Sequence, residues 1–162
     1  MKSRYAAPLL LLPILAALSS PAMAQGTAHI AFRGWGVRAG LSNNPDQVYA
    51  GFHWDLGEFA RNVRFRPYVE VGFGDHVTTL QAMGEVHYIF SKVQVWKPFV
   101  GGGAGLIYAD PDHANSETNL SIMGVGGVET KLKSATSFFI EGKVGLTNDD
   151  PDFKAGVGWT WK

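Results

Sequence analysis

The chain has no cysteine. That excludes disulfides, thiolate metal sites and a thiol nucleophile, and it suits an oxidising envelope compartment. It has no excess of charge of either sign: 14 Lys and Arg stand against 14 Asp and Glu. That balance gives no reason to expect nucleic acid as a partner. Beyond the first two dozen residues there is no long apolar run, so no transmembrane helix is expected. Helix-period segments, linkers and low-complexity tracts are missing as well.

The N-terminus has the pattern of a cleaved secretory signal. Lys2 and Arg4 form a positive n-region, and Leu9 to Leu18 is a short apolar stretch interrupted by Pro13. Ala22-Met23-Ala24 is an A-x-A cleavage site before Gln25. The apolar stretch is shorter than the ~20 residues that a membrane helix needs. Cleavage removes two cations and no anions, leaving 12 basic against 14 acidic side chains in the mature chain. We therefore read 1–24 as signal, 25–34 as a lead-in on the periplasmic side, and 35–162 as one domain.

What the mature chain does have is strict alternation in short runs. Val48, Ala50, Phe52 and Trp54 alternate with Tyr49, Gly51 and His53. Val86, Tyr88 and Phe90 alternate with Glu85, His87 and Ile89, and Val157, Trp159 and Trp161 with Gly158, Thr160 and Lys162. The period of two predicts strands over 35–42, 47–56, 63–74, 78–90, 96–109, 120–132, 137–146 and 153–162, joined by turn-forming segments. Short strands joined in this way predict antiparallel neighbours in one closed sheet. The lengths match the ~9–11 residues with which a tilted strand crosses a bilayer.

Volume decides which face points outward. One face carries bulky groups such as Trp35, Val37, Phe52, Val71, Val100, Ile140 and Trp159. The other carries Arg38, His53, Asp55, Arg64, Arg66, Glu70, Glu85, His87, Lys97, Glu129, Lys131, Glu141, Lys143 and Lys154. A lipocalin-like soluble barrel would place the bulky face inside, and alternation alone does not show which face meets lipid; the volume of the bulky face, large for the interior of eight strands, favours the inverted arrangement. The inverted arrangement predicts an eight-stranded, antiparallel, up-and-down transmembrane β-barrel, apolar outside and polar inside. Aromatic residues near strand ends (Trp35, Trp54, Phe90, Trp96, Tyr108 and Trp161) fit an interfacial girdle.

Three segments carry a resemblance. Arg66-Pro67-Tyr68-Val69-Glu70-Val71-Gly72-Phe73-Gly74 and Lys97-Pro98-Phe99-Val100-Gly101-Gly102-Gly103-Ala104-Gly105 are similar to the P-Y-V-x-x-G-x-G strand of small outer-membrane barrels. Gly124 to Leu132, followed by Ser137 to Gly142, is similar to their G-G-V-E-Y-K-L…F-x-E hairpin. The chain thus resembles the porin-like, OmpA-type barrel superfamily over 35–162. The resemblance implies the cell outer membrane as location, outer-membrane lipid and lipopolysaccharide as surroundings, and the barrel-assembly machinery as a partner in biogenesis. Members often end on an aromatic residue, whereas this chain has Trp159-Thr160-Trp161 and then Lys162.

The inward charges are expected to pair, because an isolated charge in a water-poor lumen costs several kcal/mol. Glu129, Lys131, Glu141 and Lys143 share parity on one hairpin and are expected to pair there; Asp55 is expected to meet Arg64, and Arg66 to meet Glu85 or His87. With both termini periplasmic, the outward connections carry Asp46, Asp75, Asp110, Asp112, Glu117, Asp149, Asp150 and Asp152 and no Lys or Arg. The inner turns carry Glu58 with Arg61, Lys92 and Lys133. Asp110, Asp112, Asp149, Asp150 and Asp152 offer hard oxygen ligands for weak divalent-cation binding, without matching an EF-hand loop. No cofactor is expected. The expected role is non-enzymatic, structural or surface-interacting, with a charged network plugging the lumen. The second reading is a narrow porin-like channel for ions or small solutes. The third is a lipid-modifying enzyme, for which the longest loop offers His113, Ser116 and Glu117.

Overall fold

The computed structural model describes residues 30–74, 76–92, 95–111, 115–132 and 135–162. The expected signal segment, most of the lead-in, and Asp75, Asp112, His113 and Lys133 lie outside the described residues. The strands are β1 (Gly34–Asn43), β2 (Gln47–Asp55), β3 (Glu58–Ala60), β4 (Val63–Gly74), β5 (Val77–Ile89), β6 (Trp96–Pro111), β7 (Glu117–Lys131), β8 (Thr136–Gly145) and β9 (Phe153–Trp161). Eight of them form the barrel wall, every neighbouring pair antiparallel, and β1 pairs with β9 to close it. β3 is a three-residue strand that adds to the end of β4 across a register shift.

Closure follows from the sequence pattern. Along each strand every second residue is bulky and apolar, and in register these residues meet one another: Val37 opposite Phe52, Phe52 opposite Val69, Val71 opposite Leu80. Only one surface of such a sheet is wide enough for them, and that is the convex one. Trp35, Leu41, Val48, Phe52, Phe73, Leu80, Val100, Leu106, Leu120, Ile140 and Trp159 are all exposed there. An exposed apolar belt of this extent around a whole sheet belongs against lipid rather than water.

The turns at one end of the barrel, with both chain ends of the wall, are β2–β4, β5–β6 and β7–β8; the other four connections lie at the opposite end. Asn44, Asn62 and Gly57 adopt positive φ (47°, 63° and 79°), a conformation in which Asn and Gly are the least strained residues. The wall rises further at the loop end than the alternation predicts. β6 continues to Pro111 and β7 starts at Glu117, with Ala109 opposite Glu117. Asp110 and Glu117 therefore sit on or beside a hairpin that extends past the apolar belt, where polar side chains break the alternation without ending the ladder. β3 was not foreseen, since three residues are too few to show a period.

Candidate functional site: the charged lumen

Residues at the inward positions fill the bore in three successive groups. At the end that holds the termini, Arg64 Nη1 donates to Glu129 Oε2 at 2.9 Å, and Arg66 Nη2 donates to the same oxygen at 3.3 Å. Arg64 Nε lies 3.7 Å from Asp55 Oδ2, and Asp55 Oδ1 accepts the Gly57 amide at 2.9 Å. Lys162 Nζ approaches Asp55 Oδ2 at 4.0 Å. Partial burial and the nearby Arg64 guanidinium pull the Lys162 ammonium below its ordinary pKa.

The middle group is the most enclosed. Arg38 Nη1 lies 3.1 Å from Glu141 Oε1 and 3.6 Å from Glu85 Oε2. Lys143 Nζ lies 2.7 Å from Glu85 Oε1 and 3.6 Å from Glu141 Oε1. These four side chains are at most 1 % exposed, so two cations and two anions form a closed quartet out of water. Aromatic faces cover it: the Arg38 guanidinium stands 4.3 Å from the Tyr68 ring centroid, and Lys143 Nζ stands 3.9 Å from the same ring. Two histidines flank it. His87 Nε2 is 3.1 Å from Glu85 Oε2 and its ring stacks on Phe99, while His53 Nε2 is 2.8 Å from Thr160 Oγ1.

Towards the loop end, Lys154 Nζ pairs with Glu70 and donates to Gln81 Oε1 at 3.0 Å, above the Tyr49 ring at 4.2 Å. Gln81 Nε2 donates to Ser121 Oγ at 2.7 Å, and Thr79 Oγ1 donates to Gln47 Oε1 at 2.9 Å. Ser121 donates in turn to Asp150.

Twelve of the fourteen inward charged residues named above are brought into the bore. Lys97 and Lys131 are not in the network: Lys97 is half-buried, Lys131 is exposed, and neither has an ion-pair partner among the described residues. β6 begins one residue before Lys97, so its flexible stem reaches water at the mouth. The pairing within the β7–β8 hairpin follows expectation only in part. Glu141 meets Lys143 at 3.6 Å along β8, but the register sets Glu129 opposite Phe139 and Lys131 opposite Ser137, and Glu129 pairs across the bore with Arg64 and Arg66 instead. Asp55 does meet Arg64, while Arg66 takes Glu129 in place of its cross-strand neighbour Glu85.

The lumen is also less polar than the parity pattern suggests. Tyr49, Tyr68, Met83, Ile89, Phe99, Ile107, Met123, Val125 and Phe139 are buried in it. Glycines make room for several of them. A Cβ at Gly158 would enter the Phe139 ring, and one at Gly127 would lie 2.6 Å from Phe99 Cζ. The signal for this was present in the inward Gly positions, each an empty half-site that a large cross-strand ring can occupy.

The acidic rim divides. Asp46, Asp149 and Asp152 are exposed, Asp152 accepting from Asn44 Nδ2 at 3.1 Å, and Asp110 Oδ1 accepts from Ser116 Oγ at 2.7 Å. Asp150 is buried, against expectation. Its carboxylate accepts from Ser121 Oγ, from the Ile122 amide at 3.0 Å, and from the Thr147 amide and hydroxyl at 3.2 and 2.7 Å. These four hydrogen bonds make it an anchor of the β8–β9 turn. Among the described residues no three Asp, Glu or His side chains converge on a point that could hold a metal ion.

No protein-family model matches the chain, and no curated protein matches it. Solved structures do. Neisserial surface protein A is similar with a TM-score of 0.63 and 11% identity, over 80% of this chain and 94% of that one. The outer membrane enzyme PagL gives a TM-score of 0.49 and 14% identity, over 80% of this chain and 99% of that one. The likeness to the neisserial surface protein concerns architecture, and with it the chain is placed in the fold of the small outer-membrane barrels: a closed, eight-stranded, antiparallel β-barrel.

Proposed function

We propose that this protein is exported to the outer membrane and serves there as a non-enzymatic barrel with a structural or surface-interaction role, its lumen plugged by side chains. The observation that carries this reading is the Arg38–Glu85–Lys143–Glu141 quartet, which spans the bore out of contact with water and is wedged by Tyr68 and Phe139. Opening a path would break several buried ion pairs together, each costing a few kcal/mol. The exposed apolar belt supports residence in lipid, with Trp159 and Trp161 of the last strand on its surface. Outer-membrane lipid and lipopolysaccharide would surround that belt, and the exposed acids Asp46, Asp149 and Asp152 would face phosphate-rich headgroups through weakly held divalent cations.

The test is reconstitution of the mature chain in planar bilayers, with folding verified by far-UV spectra. No unitary current is expected. Regular stepwise currents from the folded protein would replace the plug by the narrow-channel reading. For the enzyme reading, Ser116 Oγ is engaged by Asp110, and the His53–Thr160 pair is enclosed in the wall of the bore. Expression should accordingly leave the lipid A mass spectrum unchanged.

A further inference from the structure

Among the described residues, the outer wall carries a concavity that the lumen does not explain. It has a volume of about 620 Å³ and is lined by Arg61, Asn62, Tyr88, Phe90, Ser91 and Lys92. It lies at the end of the barrel that holds the termini, between the β3–β4 turn and the β5–β6 turn. Its apolar wall is made by Tyr88 and Phe90, both exposed on the lipid-facing side and set edge to face with centroids 5.1 Å apart. Its polar wall lies beyond the belt and carries two cations, two neutral polar side chains and no carboxylate.

Backbone contacts fix this shape. The Ile89 amide donates to Asn62 O at 2.8 Å, which joins the two turns, and the Phe90 amide donates to Pro98 O at 2.9 Å. Asn62 reaches that position through a left-handed turn conformation, φ 63°, and its own amide donates to Glu58 Oε2 at 3.3 Å. Glu58 is thereby held on its own turn, and neither Arg61 nor Lys92 has an ion-pair partner among the described residues. Inside the bore the cations are largely neutralised by carboxylates, whereas Arg61 and Lys92, like Lys97 and Lys131 at the same end, have no such partner among the described residues; Arg61 and Lys92 differ from those two in lining one concavity beside a pair of aromatic rings.

We infer that this concavity binds an anionic glycerophospholipid, its phosphate held by Arg61 and Lys92 with Asn62 and Ser91, and its glycerol and upper acyl chain laid on Tyr88 and Phe90. The inference rests on the membrane-barrel reading above and goes beyond it in naming a lipid class and a site. The order of the groups along the wall matches such a lipid from tail to head: aromatic rings at girdle height, then hydroxyl and amide, then cationic groups. A soluble anion would use the cations alone and leave the aromatic step unexplained.

The experiment uses the full mature chain folded in phosphatidylcholine nanodiscs, with folding verified by far-UV spectra and by the slower migration of the unheated barrel on gels. Failure at that stage would count against the membrane reading itself. The folded protein is then released into mild detergent and titrated with phosphatidylglycerol or phosphatidylcholine, and bound lipid is counted by native mass spectrometry. Phosphatidylglycerol should be retained on the order of tenfold more tightly, since each cation near a membrane surface contributes about 1 kcal/mol towards an anionic lipid. The Arg61→Gln, Lys92→Gln double variant should lose that preference and fold normally, while Lys97→Gln, outside the concavity, should keep it. Equal retention of the two lipids by the wild type, or an unchanged preference in the double variant, would overturn the inference. Displacement of phosphatidylglycerol by millimolar inorganic phosphate would overturn it too, by reducing the site to one for a free anion.

Discussion

Two carboxylates next to each other in the chain have different fates. Asp149 is exposed, whereas Asp150 turns inward to four donors from β7 and its own turn. Hydrogen bonds to a charged group contribute about 1.5–3 kcal/mol when buried. Asp150→Ala should therefore lower the urea midpoint of the barrel in vesicles by a corresponding amount, and Asp149→Ala should leave it nearly unmoved; coincident midpoints would remove the anchoring role. Glu141 supplies a second comparison. Its removal leaves Arg38 and Lys143 to share Glu85, and breaking a buried pair costs roughly 3–5 kcal/mol, whereas the exposed Glu117 is worth little. Glu141→Ala should unfold at clearly lower denaturant than Glu117→Ala. The sequence showed through parity that Glu141 faces inward. It did not show that Asp150 is buried, because that depends on a turn bringing its carboxylate against Ser121 from another hairpin.

At the scale of strands, parity read from the chain places nearly every side chain on its proper face, because period two is a local property of extended backbone. Partners across the bore were not legible. They depend on the stagger between strands, and a shift that keeps parity moves a side chain two residues along the axis, enough to take Lys131 away from Glu141. Glycine positions report on that stagger. Gly158 lies opposite Phe139, whose ring occupies the space a side chain would need, so Gly158→Val should destabilise by about 1–3 kcal/mol through overpacking. Gly126 points outward, with the nearest atom 3.9 Å from an added Cβ, and Gly126→Ala should fall within about 0.5 kcal/mol of wild type. Thermal unfolding in one detergent measures both. A tolerated Gly158→Val would mean that Phe139 moves freely and that the bore is looser than described.

For the molecule as a whole, the inversion of apolar and polar faces governs where it is stable. Val71 lies on the outward face between Ala50 and Leu80. A cation there should cost about 2–4 kcal/mol near the bilayer midplane, so Val71→Arg should reduce the folded fraction in vesicles. An unchanged fraction would place that belt outside the hydrocarbon. This scale was the most legible of the three, since the volume of the bulky face favours the inverted barrel, although alternation alone left the soluble one open. Closure has a further consequence, in time. The seam is made by the first and last strands, nine residue pairs from Trp35 opposite Trp161 to Asn43 opposite Phe153. Until β9 arrives, β1 and β8 both present open edges with unpaired amides and carbonyls, which are templates for aggregation. The wall therefore has no stable half-built form, and a chain emerging from its N-terminus must stay guarded until the residues of β9, Phe153–Trp161, are delivered. Loss of those residues alone should turn a stable barrel into an aggregating sheet.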